Sequence, residues 1–149
     1  MAQNFRFGVI VSRWNEVITK NLLEGTLQTL KSHDVSEDRI EVMKIPGCFE
    51  MPIAAKQMAE RRTFDALICL GAVIRGETTH HQYIASEAAS GIRQVSLEYN
   101  IPIGFGILTT ENEEQALERA GGKGGNKGTE AALAALEMTS LFKIFRKDL

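Results

Sequence analysis

Residues Asp65 to His81 read DALICLGAVIRGETTHH, and the two halves of this stretch follow different rules. Asp65 to Gly71 is a short, almost unbroken apolar run, the pattern of a strand covered on both faces rather than one that meets water on alternate residues. Gly71 to Ile74 reads as the end of that strand, after which the chain turns polar. Gly76 lets the backbone turn sharply or approach a ligand, and Thr78 and Thr79 stand where a helix would begin.

Working outward, three further runs share the first half's character: Phe5 to Val11, Arg39 to Ile45 and Ile101 to Leu108. Between them lie longer segments of helical period. Ile18, Leu22, Leu23, Leu27 and Leu30 recur at spacings of three and four, which draws one apolar stripe. Met51 to Arg61 and Tyr83 to Leu97 repeat the pattern. Asn112 to Ala120 and Thr129 to Phe145 read as two more helices, the second carrying Ala131, Leu133, Leu136, Met138, Leu141 and Phe142. The order βαβαβαβαα predicts an α/β fold, a parallel sheet with helices on both faces, because crossover connections are long and right-handed.

Ligands of such sheets bind beyond the carboxyl ends of the strands. The unusual polar and glycine residues cluster there: Ser12 to Asn15 after the first strand, Pro46 to Glu50 after the second, Arg75 to His80 after the third, Thr109 to Glu111 after the fourth. One rim collects the chemistry.

Composition narrows the possibilities. A chain of 149 residues with 44% hydrophobic and 24% charged residues can bury one core, so residues 1–149 are expected to form a single domain. A net charge of −2 gives no broad field for nucleic acid or an anionic membrane, so any anion site must be local. No apolar stretch reaches the roughly eighteen residues of a membrane span. The N-terminus lacks the basic segment of a secretory signal. The closing Arg146 to Leu149, RKDL, is read as a frayed helix end rather than a retention signal. Cys48 and Cys69 have neither CxxC nor metal-ligand spacing, which points to reduced thiols in a cytoplasmic protein and to no metal site.

The rim residues admit two readings each. Thr78 or Thr79 could help bind phosphate at a helix N-terminus or merely cap it. His80 and His81, being adjacent, point to different sides of a helix; one should face solvent, while the other suits proton transfer. Trp14, the only tryptophan, could stack a flat heterocycle or wedge the following helix. Phe49 and Phe105 face the same choice, with core packing favoured. Glu50 could accept hydrogen bonds from a polyol or complement a helix dipole. The glycine-rich run Gly121 to Gly128 is no Walker loop, since no Gly-Lys-Ser/Thr occurs there, and reads as a kink between two helices. Arg119 and Lys127 bracket it with positive charge.

Taken together, VSRWNE (Val11 to Glu16), IPGCFEMP (Ile45 to Pro52), GAVIRGETTHHQYI (Gly71 to Ile84), FGILTTEN (Phe105 to Asn112) and ERAGGKGGNKG (Glu118 to Gly128) resemble the lumazine synthases in order and spacing, from Phe5 to about Phe142. The resemblance implies a flavodoxin-like three-layer α/β/α sandwich with sheet order 2-1-3-4 and about five helices. It implies a transferase without cofactor that condenses 5-amino-6-ribitylaminouracil with 3,4-dihydroxy-2-butanone 4-phosphate, the penultimate step of riboflavin biosynthesis, releasing inorganic phosphate and water. By motif, Trp14 stacks on the pyrimidine and the growing lumazine ring, and the neighbouring Asn15 is a substrate-binding residue. Cys48, Phe49 and Glu50 receive the ribityl chain, and Ala72, Val73 and Ile74 read the pyrimidine edge with their backbone. Gly76, Glu77 and Thr78 match the phosphate loop and His80 the proton shuttle. Phe105, Arg119 and Lys127 match residues supplied by a neighbouring subunit, with Arg119 gripping phosphate.

The resemblance further implies a homopentamer with sites between subunits, or a sixty-subunit shell, with riboflavin synthase as a candidate partner. Two features depart from the family pattern. Trp14 replaces a common Phe, adding area on which a flavin could stack, and few residues precede the first strand. A flavodoxin-like flavin-binding module should carry a hydroxyl-rich loop after strand one, where Ser12-Arg13-Trp14-Asn15 stands. An inactive scaffold homologue would have lost His80, Arg119 or Glu50.

Overall fold

The computed structural model describes residues 2–147. Four strands, β1 (Phe7–Ser12), β2 (Ile40–Ile45), β3 (Ala66–Ile74) and β4 (Ile103–Thr110), form an all-parallel sheet in the order β2-β1-β3-β4. The register sets Phe7 beside Ile40 and Ala66, and Leu67 beside Ile103. Five α-helices cover the sheet: α1 (Glu16–Ser32), α2 (Met51–Glu60), α3 (His80–Tyr99), α4 (Glu113–Arg119) and α5 (Lys127–Lys147). The parallel sheet, its order and the helix count are those the sequence predicts.

Strand periodicity divides the interior into two cores. Phe7, Val9 and Val11 point to one side with Ile68 and Leu70, where α1 and α5 supply Ile18, Leu22, Ala132 and Leu136. Ile10, Leu67, Cys69 and Val73 point to the other, against Met51, Met58, Ala88 and Ile92 of α2 and α3. The central strands β1 and β3 are therefore apolar at nearly every position because both sides are covered.

Three expectations change. β2 is an edge strand with Glu41, Val42 and Lys44 exposed, so it is not covered on both faces. In α1, the inward face carries Ile18, Leu22, Gly25, Thr26 and Thr29, while Leu23 and Leu27 lie half-buried at its side. The run Gly121 to Gly128 is no simple kink but an antiparallel hairpin, β5 (Ala120–Gly122) and β6 (Gly125–Asn126), turned by Gly121 at φ 101° and Gly125 at φ 87°. For the closing tail, α5 continues through Lys147, and Asp148 and Leu149 lie outside the described residues.

This hairpin delivers α5 onto α1. The Asn126 side-chain oxygen accepts from the N–H groups of Gly128 (2.8 Å) and Thr129 (3.2 Å), capping α5, while its amide donates to the Asn21 carbonyl at 3.1 Å. The two backbones then come so close that a Cβ on Gly128 would lie 2.1 Å from the Leu22 carbonyl oxygen. The Thr26 hydroxyl donates to the Gly128 carbonyl at 3.0 Å. Gly128→Ala should accordingly cost about 1–3 kcal/mol in urea unfolding by overpacking. Exposed Lys123→Ala should change stability by less than about 0.5 kcal/mol.

Candidate active site

Because the strands are parallel, the segments after β1, β2, β3 and β4 emerge on one rim, and there a cavity of about 280 Å³ opens. Its walls include Trp14 and Asn15 from the first loop, Cys48 and Phe49 from the second, and Ala72, Val73 and Ile74 from the end of β3. Gly76, Thr78 and His80 from the third loop close the list of predicted residues along it.

The loops are tied to one another through backbone groups. Arg13 N–H donates to the Ile45 carbonyl at 2.7 Å and Trp14 N–H to that of Pro46 at 3.1 Å, joining the first loop to the second. Asn15 adopts a left-handed conformation at φ 64°, which Asn tolerates better than most residues. From there its side-chain amide reaches the Ala72 carbonyl at 3.2 Å, joining the first loop to the end of β3. Arg75 N–H donates to the Thr110 carbonyl at 2.9 Å, and its guanidinium pairs with Glu111 at 3.0 Å, joining the third loop to the fourth.

Two close approaches shape the cavity wall. A Cβ on Gly47 would meet the Trp14 ring at 2.4 Å, so the indole lies across the glycine backbone, yet it remains 62% exposed. It is thus braced on one loop and open to a flat ligand or a neighbouring chain. Similarly, a Cβ on Gly71 would meet the Cys48 sulfur at 2.4 Å; its absence lets that thiol sit beside the buried Ser12 hydroxyl at 3.9 Å. Burial holds the Cys48 thiol above its usual range, only partly offset by the hydrogen bond from Ser12, and burial pushes Cys69 higher still. Neither is an activated nucleophile.

The third loop runs exposed from Arg75 to His80. Nothing stands within 4 Å of where a Gly76 Cβ would be, and its φ lies outside the left-handed region. Gly76 therefore leaves open space rather than making a strained turn. The Thr78 hydroxyl oxygen accepts from His80 N–H at 3.3 Å, a local bond made one residue before the N-cap of α3, Thr79, whose own side chain makes no cap; the Thr78 O–H remains free to donate to an anion. Of the paired histidines, His80 is exposed and His81 is buried, and both line the cavity.

With this rim in view, the similarity to known proteins is specific. The sequence model described as 6,7-dimethyl-8-ribityllumazine synthase matches residues 4–143. The chain belongs to that family. The matched span includes all four rim segments and the hairpin, and membership in this enzyme family implies its activity.

Five residues predicted from the lumazine synthase pattern do not line the cavity. Glu50 turns back to accept from Gly47 N–H at 3.1 Å, holding the 3₁₀ turn Cys48–Glu50 in shape. Glu77 is exposed on the third loop. Phe105 lies on β4 with 39% of its surface exposed. Arg119 caps the last turn of α4 through the Gln115 carbonyl at 3.1 Å, and Lys127 opens α5. Conversely, Ser12, Gly47 and Ile84 line the cavity without having been singled out, and His81, weighed above only as one of an adjacent pair, lines it as well. Ser12 and Gly47 belong to the predicted rim segments, and only contacts from distant chain positions reveal that they form the wall. Among the described residues, no group of three or more His, Cys, Asp and Glu side chains could hold a metal ion, and no helix is long and apolar enough to cross a membrane.

A folded-state thiol pKa above its unfolded value stabilises the protein fully below the unfolded pKa of about 8.5 and loses that contribution as pH rises through the folded value. Unfolding free energy should therefore decline from pH 8 to 10, and Cys69→Ala should flatten the decline. An unchanged slope in urea titrations of the variant would contradict this.

Proposed function

We propose that this chain condenses the amine of 5-amino-6-ribitylaminouracil with the ketone of 3,4-dihydroxy-2-butanone 4-phosphate on the rim of its sheet. The observation carrying this reading is the single cavity shared by Trp14, the Cys48–Phe49 turn, the strand end Ala72 to Ile74, the Gly76 to Thr78 loop and His80. The pyrimidine stacks on Trp14 with its edge against the backbone of Ala72, Val73 and Ile74 and with Asn15 beside it. Its ribityl chain enters the Cys48–Glu50 turn, where the Glu50 carboxylate receives a hydroxyl. The phosphate lies at the Gly76–Glu77–Thr78 loop.

The amine and ketone are already reactive, so holding them in contact supplies effective molarity. His80 moves protons during imine formation, phosphate elimination and ring closure, which release inorganic phosphate and water and require no cofactor. Phe105, Arg119 and Lys127 complete the site from the adjacent subunit, Arg119 binding the phosphate. Their positions away from this chain's own cavity support that division. So do the exposed Leu133, Ile144 and Phe145 of α5, which a homo-oligomer would cover. A pentamer is the assembly proposed, alone or as part of a sixty-subunit shell in the cytoplasm, with riboflavin synthase as a candidate partner.

Purified protein mixed with both substrates should develop lumazine absorbance. His80→Ala should lower kcat on the order of a hundredfold with KM little changed. Arg119→Ala should raise KM for the phosphate substrate about tenfold to a hundredfold. Unchanged rates in both variants would refute these roles. Riboflavin should quench Trp14 fluorescence at micromolar concentration, since the exposed indole offers a flavin a large stacking face; no quenching would count against that stacking.

A further inference from the structure

Pro46 and Gly47 separate β2 from the Cys48–Glu50 turn, and the backbone of Gly47 gives no reason for a glycine. Its φ of −143° and ψ of −178° are extended values that any residue adopts. Its N–H, bonded to the Glu50 carboxylate, is one that every residue but proline carries. What excludes a side chain is the Trp14 indole. A Cβ on Gly47 would stand 2.4 Å from its Cε3, 2.6 Å from its Cζ3 and 3.3 Å from its Cδ2. Gly47 is buried, although the tryptophan lying on it stays largely exposed.

The loops leave such a clash one way out. Arg13 N–H donates to the Ile45 carbonyl at 2.7 Å and Trp14 N–H to that of Pro46 at 3.1 Å, so the tryptophan's main chain is tied to the residue next to Gly47. One position further on, the Asn15 amide donates to the Ala72 carbonyl at 3.2 Å. The main chain cannot retreat without breaking these bonds, so a methyl on Gly47 must turn the indole about its own side-chain bonds. We infer that Gly47 is a positioning residue for the substrate's flat ring: its missing side chain lets the indole lie back over the second loop, with the other side of the ring left to the ligand. The inference rests on the functional reading above, in which the pyrimidine stacks on Trp14. Both residues line the cavity with Ala72, Val73 and Ile74, where the pyrimidine edge is assigned. An indole turned away from Gly47 loses its alignment with that edge or enters the space the ring needs, and stacking depends on offset and tilt.

Gly47→Ala is the test, and Trp14, the only tryptophan, reports on it directly. In the ligand-free variant the Trp14 emission maximum should shift. KM for 5-amino-6-ribitylaminouracil should rise about threefold to tenfold, with kcat and the KM for the butanone phosphate little changed. In a Trp14→Phe background the same substitution should raise that KM less than about twofold, because a phenyl ring lacks the benzo carbons Cε3 and Cζ3 that the methyl meets. A Gly47→Ala chain that folds only together with Trp14→Phe supports the same contact; one that folds in neither background overturns it. A rise in the ribityl substrate's KM that is as large in the Phe background, or no rise in either, also overturns the inference. A wild-type protein that forms no lumazine overturns the functional reading. The emission spectrum then decides whether Gly47 places the indole, and an unshifted spectrum overturns that placement.

Discussion

Strands that run the same way cannot be joined by tight hairpins, so each connection must leave the end of one strand, cross a face of the sheet and return to the starting edge. Most of what distinguishes this molecule follows from that constraint. The crossovers are helices, they cover both faces, and the central strands between them lose any water-facing side. All four carboxyl ends meet at one rim, where four loops from distant parts of the chain become neighbours. The cavity between Trp14, Cys48, Ala72 and His80 is a product of topology before it is a product of any one side chain.

Rim loops have few helix or strand hydrogen bonds of their own, so the chain supplies substitutes. Backbone amides of Arg13, Trp14 and Arg75 bind carbonyls of neighbouring loops, and the Asn15 amide spans 57 positions to reach Ala72. These ties hold the walls in place with main-chain atoms, leaving Trp14 and His80 exposed toward ligand or partner. Gly47 and Gly71 contribute by what they lack, since a side chain at either would displace the indole or the Cys48 thiol. His81, on the inward face of α3, is buried with an unmatched Nδ1, a cost to stability.

The layers, the strand directions and the rim were legible in the sequence because burial imposes periodicity: β3 is apolar throughout, and the helices carry stripes. The edge position of β2 was less legible. Arg39 to Ile45 holds Glu41 and Lys44 among apolar residues, and only the pairing with β1 shows that its second edge is free. Composition also misdescribed α1, whose inward face includes Gly25 and Thr26 where Asn126 and Gly128 approach too closely for a leucine. The hairpin between α4 and α5 was hidden by its glycines, which signal freedom without specifying its use; the contact between Gly128 and Leu22 explains one of them. The different fates of His80 and His81 depended on the rotation of α3, which a pair of identical neighbours does not encode.

Two halves of one site held on different chains make the central claim directly measurable. Chains carrying His80→Ala should be unfolded and refolded together with chains carrying Arg119→Ala. If each site takes His80 from one subunit and Arg119 from the next, random mixed rings regain wild-type pairs at about a quarter of their interfaces, and lumazine formation rises toward that fraction of the wild-type rate. Activity that never exceeds the average of the two variants refolded separately would contradict a shared site.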